Sequence, residues 1–221
     1  MLQATNIFLL VFAALFPIVN PIGNAPIFLR LTAHCSAKIR YSLARRIALM
    51  GFVLLVGSLL FGSKVLEFFG ITLPIVRVAG GLVVAIMGWR LLNQGENPIE
   101  SDTTQHLDDD TTILDQAFYP LTMPLTVGPG SIATAIALGT EWPLVPADFK
   151  AFFLETASAV VGLAAVALAI YLSYRFADWI ERVLGRTGTN VLVRLSAFIL
   201  LCIGLQILWN GTLALLQSVH G

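Results

Sequence analysis

Two stretches of this chain place small, amide-bearing and hydroxyl-bearing residues between regularly spaced prolines. Residues 16–28 read FPIVNPIGNAPIF and residues 119–131 read YPLTMPLTVGPGS. In both stretches the prolines stand four and then five positions apart, and the second set follows the first by 103 positions. Because proline lacks an N–H, it leaves the carbonyl four residues before it without a helical partner. The matched stretches therefore predict two helices that break.

The chemistry available at such breaks is the binding of a zwitterion. Freed carbonyls attract an ammonium group or a cation, and they are expected at Pro17, Ile22, Pro120 and Leu125. The helix that restarts past each break offers free N–H groups at a positive dipole end, which suits a carboxylate. If the two breaks meet inside a membrane, the two sets of groups surround one site.

The restarting helices are expected to have Pro26 and Pro129 near their first positions, with Asn24, or Thr126 and Gly128, as caps. The alternative is that the prolines only kink packed helices. The candidate substrate-binding residues are Asn20, Pro21, Gly23, Asn24, Thr122, Pro124, Thr126, Gly128, Pro129, Gly130 and Ser131.

The elements that position these residues are expected to be membrane-spanning helices. Hydrophobic residues make up 57% of the 221 residues and charged residues 12%, and the mean hydropathy is +0.84. These values are typical of a polytopic all-α membrane protein, and the zero net charge gives no support for nucleic-acid binding. Six spans are expected: 7–31, 42–66, a third beginning near 71, 116–140, 156–174 and 191–216.

A repeat extends beyond the prolines. Arg77 and Arg194 stand near the start of the third and sixth spans, and Asn93 and Asn210 each follow sixteen residues later. The chain is thus predicted to contain two three-helix halves, 1–93 and 117–221, joined by an acidic loop at 94–116. Because three is odd, the halves must be inverted relative to each other, as in many secondary transporters.

These four repeated polar residues are possible supports for the site. The arginines either anchor their helix ends at the membrane surface or have a function. The amides of Asn93, Asn210 and Gln206 are expected to join neighbouring helices.

The sequence gives little support for metal binding or catalysis. The run Asp108 to Asp110 lacks the alternating ligand spacing of a calcium loop, so it indicates a solvated acidic segment and no metal is expected. Cys35 and Cys202 stand apart without metal-type spacing. No nucleophile–base set or phosphate loop is present in the sequence, so we expect neither an enzyme nor a cofactor. Glu155 is the one carboxylate close to a hydrophobic span.

Basic residues predict the orientation. One side collects Arg30, Lys38, Arg40, Arg45, Arg46, Arg90, Arg175, Arg182 and Arg186, whereas the other holds Lys64 and Lys150. The positive-inside rule therefore places the first, acidic and fifth loops in the cytoplasm and both termini outside it. The first nine residues contain no Lys or Arg, so no cleavable signal peptide is expected.

Three motifs resemble the MarC family of bacterial inner-membrane proteins. They are Asn20-Pro21-Ile22-Gly23-Asn24, the run from Gly70-Ile71 to Arg77-Val78-Ala79-Gly80-Gly81, and Pro124 to Gly128-Pro129-Gly130. The resemblance covers nearly the whole chain. It implies six spans in the cytoplasmic membrane, distant kinship with lysine-exporter-like transporters and, for some members, transport of small neutral amino acids.

The leading hypothesis is a secondary transporter, or exporter, of a small neutral amino acid such as glycine or alanine, working by alternating access about the two breaks. A wide apolar cavity in place of a small polar one would favour efflux of another solute or a drug. Tightly packed breaks without a cavity would favour a non-transporting membrane scaffold or stress protein.

The topology is testable by cysteine labelling in a background that lacks Cys35 and Cys202. In intact cells, Asp109→Cys should be shielded from membrane-impermeant thiol reagents, whereas a cysteine inserted after His220 should react, because the two positions are predicted on opposite sides of the membrane. Equal labelling of both would show that an even number of crossings separates them, and would contradict the inverted repeat.

Overall fold

The structure, a computed structural model, describes residues 2–93, 117–140 and 149–220. Within these ranges the chain is helical and contains no strand. The helices are α1 Leu2–Val19, α2 Pro21–Leu31, α3 Ala37–Phe68, α4 Leu73–Asn93, α5 Pro129–Gly139, α6 Phe149–Arg175 and α7 Ala177–His220. The acidic loop predicted at 94–116, with Asp108 to Asp110, lies outside the described residues.

Between α4 and α5 runs an irregular stretch, Ala117–Thr126, which we call the double-proline segment because it contains Pro120 and Pro124. Its backbone is extended rather than helical at Tyr119 and Met123, and the peptide bond that follows each of these residues is cis. The fourth predicted span is therefore interrupted along its first half.

Five of the described helical stretches are long and apolar enough to cross a membrane. The double-proline segment and α5 form a further apolar pair bent by 70°, which is either one broken span or a re-entrant loop. The all-α membrane class is thus confirmed, with five spans or up to six. The five stretches are Ala4–Leu31, Ala37–Phe68, Leu73–Asn93, Phe153–Arg175 and Thr187–Gln217.

The first break is a single residue, Asn20, in the left-handed backbone conformation (φ 48°, ψ 54°). Asparagine tolerates this conformation better than most residues. Its Oδ1 caps α2 by accepting from the Gly23 N–H at 3.2 Å, and Pro21 occupies the start of the new helix. The predictions that Pro26 would start this helix and that Asn24 would cap it were wrong, because the helix breaks at Asn20, six residues before Pro26, and restarts at Pro21.

The second break agrees more closely with the sequence. Pro129 stands at the start of α5, as predicted, and Gly128 is the residue that caps it, with extended backbone and no side-chain hydrogen bond. Thr126, the other expected cap, instead donates its hydroxyl to the carbonyl of Leu121 at 2.7 Å. The first turn of α5 is therefore left without a capping side chain.

Helices α4 and α7 pack so closely that their backbones touch. A Cβ added at Gly81 would overlap the backbone of Leu208, and one added at Gly88 would meet the backbone of Leu201 at 2.5 Å. Since the later residue of α4 faces the earlier residue of α7, the two helices run antiparallel. Small residues permit this approach, which gains van der Waals contact where lipid gives no hydrophobic drive for helix association.

Polar contacts gather at one end of the bundle. Arg40, near the start of α3, pairs with Asp178 of α7 at 2.8 Å. The guanidinium of Arg175, at the end of α6, lies 3.5 Å from the ring centroid of Tyr41. The first and fifth loops, which the sequence assigns to the same side of the membrane, therefore lie beside each other.

The α4–α7 contact predicts a contrast between two glycines. Gly204→Ala should destabilise the fold by ~1–3 kcal/mol, because its Cβ would overlap the backbone of Ala85. Gly57→Ala is the matched control, since no atom lies within 4 Å of a Cβ there. Thermal unfolding of the purified proteins in detergent measures both. Equal stability of the two variants would contradict the packing.

Candidate functional site

One side chain joins the two breaks. The Nδ2 of Asn24 donates to the carbonyl of Val19 at 2.9 Å and to that of Leu125 at 3.1 Å. Leu125 is one of the carbonyls expected to be freed, because Pro129 has no N–H to offer it. The Val19 carbonyl is free for a different reason: its helical donor, the Gly23 N–H, donates to the Asn20 Oδ1 instead. Asn24 therefore satisfies one carbonyl in each half of the chain.

A cavity of about 80 Å³ lies beside this junction. Its walls include Val84 and Met87 of α4 and Leu200 of α7, which give it an apolar side. Water occupies roughly 30 Å³ per molecule in the liquid and drug-sized ligands fill roughly 300–1,000 Å³, so only a very small solute fits. The predicted site residues that line the cavity are Asn20, Asn24, Pro124, Thr126, Gly128, Gly130 and Ser131.

The start of α5 brings hydrogen-bond donors to this cavity. The first N–H groups of any helix have no partner within it, and here these include the N–H groups of Gly130 and Ser131. Among the described residues, no side chain caps them. The Ser131 hydroxyl donates to the carbonyl of Gly128 at 2.9 Å. The cavity thus meets a positive dipole end, which stabilises a carboxylate.

The four remaining predicted site residues do not line the cavity, although three of them shape the breaks. Pro21 and Pro129 start α2 and α5. A Cβ at Gly23 would overlap the Asn20 amide, so glycine is needed there for Asn20 to cap α2. The fourth, buried Thr122, donates to the carbonyl of Ala117 at 2.6 Å and so satisfies backbone within the double-proline segment.

The polar residues of the wider repeat stand away from the cavity. Arg194 is exposed, and Arg77 is half-buried on α4. Exposed Asn93 donates to the carbonyl of Trp89 on its own helix. Asn210 accepts from Gln206 at 3.0 Å, again within one helix. The expectation that these amides join neighbouring helices was therefore wrong.

Tyr174 is a supporting residue that sequence reasoning missed. Its hydroxyl lies 2.8 Å from the Oγ1 of Thr126, and its ring stacks on Phe28 with centroids 4.5 Å apart. Because Thr126 donates its single proton to the Leu121 carbonyl, Tyr174 must be the donor to Thr126. A tyrosine at the end of an apolar span usually anchors it at the membrane surface, so no sequence signal identified this contact.

Taken together, the apolar helices and the paired breaks define a polytopic α-helical membrane protein with a small, partly polar cavity between the breaks. Comparison with known sequences assigns the family. The profile of "MarC family integral membrane protein" matches residues 5–216, and the chain belongs to the MarC family.

Curated relatives match over almost their full length. The chain is 32% identical over 201 residues to "UPF0056 membrane protein YvbG" of Bacillus subtilis (strain 168), covering 91% of this chain and 92% of that protein. It is 31% identical over 219 residues to "UPF0056 inner membrane protein MarC" of Escherichia coli (strain K12), covering 93% and 94%. No solved structure matches the chain. The family resemblance inferred from the sequence motifs is confirmed.

The Tyr174 contact predicts a specific loss of stability. Tyr174→Phe keeps the stacking on Phe28 but removes the hydrogen bond to Thr126, so it should cost ~0.5–1.5 kcal/mol of unfolding free energy. Tyr171→Phe is the control, because the Tyr171 hydroxyl has no hydrogen-bond partner among the described residues. Thermal unfolding in detergent measures the difference, and equal values would show that the bond contributes nothing.

Proposed function

We propose that this protein is a secondary transporter of small neutral amino acids, such as glycine or alanine, in the bacterial cytoplasmic membrane. The observation that carries the proposal is the cavity of about 80 Å³ between the two helix breaks. Its lining combines the start of α5, where no described side chain caps the N–H groups, with the amide of Asn24 and with apolar side chains of α4 and α7. The substrate class comes from the family resemblance, and the cavity suits it in size and in polarity.

Efflux of drug-sized solutes has less support. Such ligands occupy roughly 300–1,000 Å³, several times the volume of this cavity. Transport of them would require the two halves to separate widely at the breaks. A solute with only a few heavy atoms needs no such expansion.

The non-transporting scaffold is favoured by one observation. The freed carbonyls of Val19 and Leu125 are both satisfied by Asn24, as in a permanently packed junction. A pure packing device would also be expected to fill the space beside that junction. The cavity there and the uncapped start of α5 favour a binding site instead.

Alternating access in this proposal uses two inverted three-helix halves, with both termini outside the cytoplasm. The antiparallel packing of α4 against α7 supports the inversion, since corresponding helices of two inverted halves run in opposite directions. The pairing of Arg40 with Asp178 supports the placement of the first and fifth loops on one side.

The proposal is tested by comparing the uptake of labelled amino acid into liposomes that contain either the wild-type protein or the Gly128→Leu variant. A Cβ at Gly128 would lie 3.9 Å from the Met87 sulfur and 3.3 Å from the Pro124 carbonyl oxygen, a tight contact that requires a shift of a few tenths of an ångström. Because Gly128 lines the cavity, a leucine side chain there should occupy its space. Wild-type protein should move labelled glycine or alanine, and the variant should lose at least about 90% of that rate because the substrate is excluded.

The control is Gly57→Leu, where the added side chain meets open space and transport should be unchanged. Gly128 is a cleaner target than Asn24, whose replacement by leucine also removes two hydrogen bonds between the breaks. Monodisperse Gly128→Leu protein with full uptake would remove this cavity from the transport path. Wild-type protein that moves neither amino acid would overturn the proposal.

A further inference from the structure

The amide of Asn24 has two ends with different surroundings. We infer that its carbonyl oxygen, Oδ1, binds the ammonium group of the transported solute, an inference that rests on the proposed function. The sequence had assigned the ammonium to the freed backbone carbonyls of Pro17, Ile22, Pro120 and Leu125. Of these four residues only Leu125 lines the cavity, and its carbonyl already accepts from Asn24, so the acceptor moves from the backbone to this side chain.

The orientation of the amide is determined by its partners. A carboxamide has two N–H protons on nitrogen and only lone pairs on oxygen. Two carbonyl oxygens lie 2.9 and 3.1 Å from one end of Asn24, and a carbonyl can only accept. That end must therefore be the nitrogen, because turning the amide over would set three acceptor oxygens against one another.

The other end is left open. No described residue donates to Asn24 Oδ1, and the atom is not among the buried polar atoms that lack a partner, so it keeps accessible surface. Asn24 itself lines the cavity beside the junction. A rigidly held acceptor in a small cavity with apolar walls is a strong partner for a charged donor, because a charge-assisted hydrogen bond is roughly twice as strong as a neutral one.

Asn20 does not provide a second such acceptor. Its Oδ1 accepts from the Gly23 N–H, so its nitrogen is the end without a partner, and that nitrogen is buried. The start of α5 contributes donors to the cavity. A solute with an ammonium at one end and a carboxylate at the other therefore has a distinct partner for each.

The inference predicts discrimination between isosteres. Propionate has the carboxylate and the size of glycine but a methyl group in place of the ammonium, and ethylammonium has the ammonium but no carboxylate. In competition for labelled glycine, propionate should be at least about 10-fold weaker than unlabelled glycine, because it leaves Asn24 Oδ1 without a donor. Ligand-dependent thermal stabilisation of the detergent-purified protein should give the same order without requiring transport.

Replacement of the side chain assigns the effect to Asn24. In Asn24→Ala the preference for glycine over propionate should fall toward unity, whereas ethylammonium should lose affinity as glycine does. Asn210→Ala is the matched control, because Asn210 bonds only within its own helix and lies away from the cavity. Its preference should equal that of the wild type.

The outcomes separate this inference from the proposed function. Wild-type protein that transports glycine but binds propionate equally well would overturn the role of Asn24 and leave transport standing. The role of Asn24 would likewise be overturned if folded Asn24→Ala protein kept a 10-fold preference for glycine over propionate. If Asn24→Ala does not fold, the wild-type isostere series still decides. If glycine is neither transported nor able to stabilise the protein against heat, both proposals are overturned.

Discussion

The structure depends on the cost of leaving a backbone carbonyl unpaired in an apolar environment. Each such group costs several kcal/mol in hydrocarbon, so a helix can break inside a membrane only where another donor replaces the lost N–H. Here the replacements are short polar side chains from the breaks themselves. Asn24 serves Val19 and Leu125, and Thr126 serves Leu121. The first role of these polar residues between the prolines is therefore to satisfy the backbone at the breaks.

The remaining polar groups follow from the same constraint. At the cavity, where side chains satisfy the carbonyls of Leu125 and its neighbours, the groups left unpaired are the N–H groups at the start of α5 and one amide oxygen. Glycines keep space beside them. A Cβ at Gly130 of α5 would overlap the side chain of Val84, so α4 packs this closely against α5 only because residue 130 has no side chain. The cavity is small because helix backbones surround it closely.

The sequence predicted the parts of this arrangement that depend on local backbone chemistry. Proline spacing located both breaks, and Pro129 starts its helix because it needs no hydrogen-bond partner there. The choice between Asn20 and Asn24 as cap was not predictable, since both asparagines suit that role and only the left-handed backbone at Asn20 decides it. Contacts made by Tyr174, Val84 and Leu200 come from distant helices, and an apolar or aromatic residue in a span gives no sign of which neighbour it meets.

The position of Asn24 relates binding to movement. Its bond to Leu125 connects residues 101 positions apart, one in each half of the chain, and the open oxygen that we assign to the substrate belongs to the same planar amide. Any motion that separates the two breaks must either break that bond or carry the amide with one half. When that bond breaks and the amide stays with α2, the oxygen moves relative to the start of α5, and the distance between the two partners of a zwitterion changes. A solute that bridges both partners therefore stabilises the arrangement in which they face each other, and its release is favoured when they part. The hydrogen bonds of Asn24 make the two helix breaks tolerable in a membrane. Under the proposed function, they are also the contact through which a bound amino acid would shift the equilibrium between the arrangements of the two halves.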